Sequence, residues 1–572
     1  MFGTLAHLMP AHPVGSKPPK DVPPPTPINF PHCHPRVQED GRPRSSPSQP
    51  QKPLTALLQS IIRPTEITLT HLEALGVNVT QDAPAADLIP DPSYIPDFAT
   101  WDGLSQEEAR DANETSRRPL NNGNLSPGTL TYVDRRRELY IQNDAAFRAV
   151  RRMQPPPGKT QVRLGNSFEF FRNLEAFASF WDDTSVPKAA STSTPSDSPE
   201  DEKGVGRSST SDDGSDSEKT AQEGPIFFRT GSGNQMPPEY RLNLITAFLK
   251  LVAYDFGCNV SAPRTEPRLY ITAPSSTSAA PQPTPPGSST RSSYFSSGCT
   301  FIFRTPTTRE AARSGIVEGP LAAVSARHFT NFPQPPDDPS STATDTDSLI
   351  DLARELVAGL ITAQHRAREG KTEKRVGEDA WWATKPRWGG GAGGPIGREV
   401  DYKEGDDIGD KDEVRSKDDM QRQPPLPAPS SSSSRGRDKG PAAKKARKNL
   451  AIYDNYRMVR PPSASWDKKT RYTAVGRARG AEWDDIFVVS ALFHHVSILR
   501  VRVPDRLLEV LDGAPDDGGR RSWGRVDVTR SRWFDFFKAE ERIEAMQLVW
   551  SMMAYLMRKE PEEPVDANME DA

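Results

Sequence analysis

Apolar residues in this chain of 572 are gathered into a few islands, and the stretches between them are built from Pro, Ser, Thr and charge. That distribution limits the fold before any motif is considered. Only 34 % of residues are hydrophobic while 56 are prolines, a balance too polar and too proline-rich for a chain that folds throughout. A long polar segment buries too little apolar surface to offset the entropy lost in ordering it. The expectation is an α+β fold, one small composite domain assembled from segments separated by long disordered linkers.

The islands and linkers follow in order. Residues 1–50 read as a disordered tail and 561–572 as an acidic tail. Residues 51–186 read as helical segments with an extended region. Short helices flank Pro64, an extended run over 91–124 carries Tyr94, Phe98 and Trp101, and a strand around 130–133 is followed by a helix. Phe168, Phe171, Leu174, Phe177 and Trp181 then mark one face of an amphipathic helix. An acidic, Ser-rich linker fills 187–224.

Residues 225–388 form the first part of the α+β core. Pro237 and Pro238 precede a helical stripe of Leu242, Ile245, Phe248, Leu249 and Val252 that ends at Gly257, where a left-handed cap is cheap. Strands are expected at Arg268–Thr272, Thr300–Arg304 and 321–327, then a helix from the N-cap Asp347 to the basic end at His365, Arg366 and Arg368. A second linker occupies 389–449. The second part of the core, 450–560, has strands over 487–503 broken near His494 and His495. A closing helix carries Trp533, Phe536, Phe537, Ile543, Met546, Trp550, Met553 and Met557, with Lys538, Glu541, Arg542 and Glu544 largely off its apolar face. Neither core part holds a complete sheet with its own cover, so the two are expected to pack together.

Several chemistries are excluded at this level. Cys33, Cys258 and Cys299 stand far apart with no CxxC pair, which argues against a disulfide framework or a cysteine-based zinc site and suits a reducing compartment. A net charge of -4 gives the whole chain no field toward nucleic acid or an anionic membrane. No apolar leader opens the sequence and no window of about 18 apolar residues occurs, so no membrane association is expected. Gly158-Lys159-Thr160 and Gly370-Lys371-Thr372 fail as phosphate loops because Met153 and His365 stand where the first glycine is needed. With no hydrolase, zinc-protease or dinucleotide fingerprint, no catalytic residue and no cofactor is expected, and the chain reads as not an enzyme. His494 and His495, adjacent in an expected strand, would point to opposite faces and so not share a metal ion. His32-Cys33-His34 lacks a fourth ligand, so no metal site is assigned.

The sharpest signal lies in the second linker. Arg435, Arg437, Lys439, Lys444, Lys445, Arg447 and Lys448 cluster around Pro441 in a segment too polar to fold, the form in which an import receptor reads basic residues. The core of the run resembles a monopartite nuclear localisation signal, with Arg435 and Arg437 as an upstream half. Serines set before acidic residues in the 212–218 stretch suit acidophilic kinases. Trp381, Trp382 and Trp388 form an aromatic hook that either docks a partner or folds back over its own core.

Gly165-Asn166-Ser167-Phe168-Glu169-Phe170-Phe171, Trp381-Trp382-Ala383-Thr384-Lys385-Pro386-Arg387-Trp388 with the glycines after it, and Arg530-Ser531-Arg532-Trp533-Phe534-Asp535 resemble a family of uncharacterised proteins from filamentous fungi. The resemblance covers the folded islands, not the linkers, and implies a kingdom but no catalytic residue. The residues together point to a non-enzymatic nuclear scaffold or accessory subunit of a protein complex, associated with chromatin, whose partners are an import receptor and a nuclear protein. The alternatives are a nucleic-acid-binding regulatory protein using Lys468, Lys469, Arg471, Arg477 and Arg479, and an enzyme with an unrecognised site.

Overall fold

The computed structural model describes residues 22–33, 35, 53–61, 63–186, 227–261, 268–274, 292–306, 308, 310, 316–327, 332, 345–370, 471–515 and 521–560. The principal helices are α1 (Leu54–Gln59), α2 (Leu69–Leu75), α3 (Thr129–Leu139), α4 (Asn143–Val150), α5 (Phe168–Phe177), α6 (Pro238–Ala253), α7 (Thr346–Arg366), α8 (Asp505–Leu511) and α9 (Ala539–Leu556). The strands are β1 (Val77–Thr80), β2 (Cys258–Ser261), β3 (Arg268–Thr272), β4 (Ser292–Ser296), β5 (Thr300–Arg304), β6 (Ile316–Glu318), β7 (Ala322–Arg327), β8 (Arg471–Thr473), β9 (Trp483–Leu492), β10 (His495–Pro504), β11 (Val526–Arg530) and β12 (Phe534–Asp535).

Helices and a mixed sheet make the fold α+β. The main sheet runs β1-β11-β10-β9-β7-β5-β2, with β12 added on β10, while β3-β4 and β6-β8 form separate pairs. Its strands come from three distant regions of the chain. β1 pairs parallel with β11 and β7 parallel with β9, whereas β9-β10, β10-β11, β5-β7 and β2-β5 are antiparallel. It follows that β1, β2, β7, β9 and β11 all point the same way.

Alternation along the central strands divides the core in two. Phe487 and Val489 of β9 face a layer containing α5, α6 and α9, where Phe170, Phe248, Phe536 and Trp550 pack. Ile486 and Val488 face the opposite layer, with Leu352, Leu356 and Ile361 of α7, Leu507 of α8 and Ile271 of β3. Covered on both faces, β9 is a near-continuous apolar run, as a central strand requires.

Helix α7 lies buried from Ser348 to Arg366. Asp345, and not the expected Asp347, caps it by accepting from the Asp347 and Ser348 amides, and His365 and Arg366 sit at its negative end. At Gly359 the helix passes close to β10, where an added Cβ would come within 3.4 Å of Val501 Cγ2.

Several expectations change. Within the segment read as a tail, residues 22–33 and Pro35 lie along the core, with Cys33 buried. The strand expected at 130–133 is helix α3. Its alternating Thr129, Thr131 and Val133 carry β propensity, but Tyr132 and Leu139 are buried on one helical face, and tertiary packing overrides propensity. The region 91–124 lies over the folded surface as expected, but through short helical turns at Pro92–Tyr94, Phe98–Asp102 and Gln106–Asp111. The closing helix begins only at Ala539, because Phe534 and Asp535 pair with β10 first. Arg542, placed off its apolar face by spacing, is in fact buried, its guanidinium 5.1 Å from the Phe171 ring. The strands β3 and β5 keep the expected bounds but belong to different sheets.

Candidate functional site

The candidate site is built where the carboxyl ends of β7, β9 and β11 meet, the end of an open sheet at which ligands usually gather. The period of two that sends Ala323, Val488 and Val528 toward α7 also sends Arg327, Ser490 and Arg530 there. On α7, Asp351 and Glu355 are four residues apart and so face the sheet together. Glu355 accepts from Arg327 and Ser490 on one oxygen and from Arg530 on the other, and Asp351 accepts from Arg327 Nε. Arg354 donates to the carbonyls of Ser297, 3.2 Å away, and Ala326, 3.4 Å away. All five ionisable groups are buried, with Glu355 at 0 % exposure.

Burial sets the protonation behaviour of the pair. It opposes ionisation of Glu355, but the guanidiniums of Arg327 and Arg530 and the Ser490 hydroxyl outweigh it and hold that carboxyl below the usual range. At Asp351 burial wins over Arg327 and pushes the carboxyl up. Arg327 Nη1, Arg530 Nε and Nη1, and Asp351 Oδ2 remain without a hydrogen-bond partner. A network of this kind stabilises weakly in net terms, but losing one member leaves an uncompensated buried charge.

An N-terminal strap closes this end of the sheet. Pro23 O accepts from Arg229 Nη1, Thr26 Oγ1 accepts from the Gly233 amide at 2.8 Å, and Asn29 Nδ2 donates to Phe332 O at 2.8 Å. The His32 amide donates to Ser348 Oγ at 3.0 Å, and Pro35 O accepts from the Val79 amide at 3.0 Å. Phe30 stacks on Trp533 with centroids 5.0 Å apart, and the same Trp533 ring lies 5.6 Å from the Arg327 guanidinium and 5.5 Å from that of Arg530. Burial, with Asp345 and Asp351 nearby, pushes the Cys33 thiol up to about 12, so it is an unreactive thiol.

Beside the strap lies a second group. β9 and β10 are joined by the two residues Phe493 and His494, Phe493 taking φ of +53°, a conformation that costs a bulky residue roughly 1–3 kcal/mol. Its ring is held 4.6 Å from Trp181 and 4.5 Å from the Arg241 guanidinium. The turn corrects the expectation that adjacent histidines diverge: the His494 and His495 rings lie 4.3 Å apart, and Nε2 of each is 3.8 Å from the Asp535 carboxylate. Burial, reinforced at His494 by its neighbour, lowers both imidazoles and keeps them neutral, even against Asp535 at His495. Nδ1 of each is buried without a hydrogen-bond partner.

The basic run of Arg435, Arg437, Lys439, Lys444, Lys445, Arg447 and Lys448 and the hook of Trp381, Trp382 and Trp388 lie outside the described residues. Of the basic loop considered for nucleic acid, Lys468 and Lys469 also lie outside, while Arg477 pairs with Asp505 and Arg479 with Glu560. The buried network escaped sequence reasoning, although two carboxylates four apart among the apolar positions of one helix, with an Arg ending each of two strands, were a usable signal. Comparison with protein-family models, curated proteins and solved structures gave no match. Among the described residues no helix is long and apolar enough to cross a membrane.

Proposed function

We propose that this protein is a non-enzymatic nuclear scaffold, in which one composite domain presents intervening chain segments to a protein partner. The observation that carries the reading is the pair of anchor points around residues 371–470. On one side α7 ends with Arg366 Nη1 donating to Asp484 at 2.7 Å; on the other, β8 joins β6 in a parallel pair. The basic run and the tryptophan hook therefore belong to chain that is tied to the core at both ends. The reading is also supported by the state of the ionisable cluster, whose carboxylates are committed to internal arginines beneath the strap.

The test is purification of the tagged full chain from nuclear extract, followed by identification of what it retains. The scaffold reading expects a stoichiometric nuclear protein that resists high salt and is lost when Trp381, Trp382 and Trp388 are replaced with Ala. Retention of nucleic acid alone, with affinity falling steeply as salt rises, would replace this reading with the nucleic-acid one.

A further inference from the structure

The geometry points to a divalent transition-metal site, suited to Zn²⁺, formed by Nε2 of His494, Nε2 of His495 and the carboxylate of Asp535. These three side chains each offer a ligand atom, and the atoms all lie within 4.8 Å of one another. With bonds of about 2.0–2.2 Å, two ligand atoms on one Zn²⁺ stand roughly 3.4 Å apart at the tetrahedral angle and about 4.2 Å apart if opposed. The 3.8 Å separations from each Nε2 to Asp535 fall between those limits. Bringing the widest pair, within 4.8 Å, to the tetrahedral separation takes a closure of up to about 1.4 Å.

Two further observations favour a ligand over plain packing. First, 3.8 Å is too long for a hydrogen bond, so Asp535 does not satisfy the Nε2 atom of either imidazole. Two polar side chains only 2 % and 14 % exposed would ordinarily find hydrogen bonds; here His494 is the more deeply buried, packed against Phe177, Trp181 and Phe537. Second, the carboxylate is already aimed. Its Oδ1 accepts from the Phe537 amide at 2.9 Å and its Oδ2 from the Thr184 hydroxyl, while the Asp535 amide donates to Glu541 at 2.7 Å. Such supporting bonds fix a ligating carboxylate and leave lone pairs for an ion. The ligand set of two imidazoles and one carboxylate suits Zn²⁺ or Fe²⁺ and not Ca²⁺ or Mg²⁺, which prefer oxygen throughout.

An ion there would join the β9-β10 turn to β12 and, through Thr184, to the segment after α5. With three protein ligands the fourth position of a tetrahedral ion would fall to water, and the site stands independently of the nuclear scaffold reading.

The test uses the full-length protein, stripped with chelator and titrated with Zn²⁺ by calorimetry and with Co²⁺ by visible absorption. Wild type should take up one ion at this site, develop Co²⁺ d–d bands without a thiolate charge-transfer band, and rise in Tm with added Zn²⁺. Asp535→Asn, which keeps the shape and can still accept from Phe537 N, and His495→Gln should each weaken Zn²⁺ binding at least tenfold and reduce the Co²⁺ bands. Near-UV circular dichroism reports whether each variant has folded. No saturable Co²⁺ spectrum in folded wild type would overturn the proposal without recourse to any variant. Unchanged affinity in both folded variants would overturn it equally, by placing the ion elsewhere on the chain.

Discussion

Arg366, at the last turn of α7, donates to Asp484 at the start of β9 across 118 residues of sequence, at 2.7 Å and with both side chains buried. The same guanidinium donates through Nε to the Pro320 carbonyl at 2.9 Å and through Nη2 to that of Leu321, just before β7. One side chain thus ties the helix to two adjoining strands. Burial nevertheless pushes the Asp484 carboxyl up, more than Arg366 and Arg477 draw it down.

Replacing Arg366 with Met should cost about 3–5 kcal/mol at neutral pH, because Asp484 is left as an uncompensated buried charge. The sign of its pH dependence follows from the raised carboxyl. Between the ordinary carboxylate pKa and its own raised value, the folded state binds more protons than the unfolded state, so stability falls as pH rises through that window. Removing Arg366 widens the window upward. The deficit of the variant should therefore shrink as pH is lowered toward about 4. Denaturant unfolding at several pH values checks this, and a deficit that does not vary with pH would contradict it.

Trp550→Ala should cost about 3–5 kcal/mol, since this ring is 1 % exposed and packs edge-on against Tyr132, Trp101 and Phe256. Arg542→Ala, which helical spacing alone would place as a silent change, should instead cost about 1–3 kcal/mol. It removes packing on Phe171 and a hydrogen bond to the Ile141 carbonyl, but it also removes a charge whose burial draws its pKa down to about 10. Chemical unfolding of both variants gives the ranking, and an Arg542→Ala protein as stable as wild type would refute the burial argument.

Phe30→Ala should loosen the strap without unfolding the core, because Phe30 is only partly buried and its ring packs on Trp533 and His495. Thiol labelling at pH 8, mapped to Cys33 by mass spectrometry, reads the result. Wild-type Cys33, buried and with its thiol pushed up to about 12, should react slowly, and the variant several-fold faster. Equal rates would mean that the strap does not guard this end of the sheet.

The sequence disclosed elements whose signal is local and hid those whose partner is remote. Helices α6 and α7 carry their own stripes and end signals, and the β9-β10 hairpin carries its own alternation. Strand β1 is four residues long and gains its identity from pairing with β11, with Asn78 donating to Asp527 449 positions away. The Trp533–Phe537 stretch has helical spacing, yet Val496 and His495 pair with Phe534 and Asp535, so the backbone is taken by the sheet. At the candidate site the residue types were visible and their meeting was not. Arg327, Asp351, Ser490 and Arg530 come together only through the order of the sheet strands, and His494 and His495 share a side only because Phe493 takes a left-handed turn conformation.

The central claim is that a folded core carries its nuclear import signal in the chain between α7 and β8. Its most direct test is the distribution of a full-length fluorescent fusion beside a variant with Lys444, Lys445, Arg447 and Lys448 replaced by Ala, the core's integrity checked by its thermal transition. The account predicts that wild type accumulates in the nucleus and that the equally stable variant moves to the cytoplasm. Nuclear accumulation unchanged in the variant, or a wild-type fusion that never enters the nucleus, would contradict it.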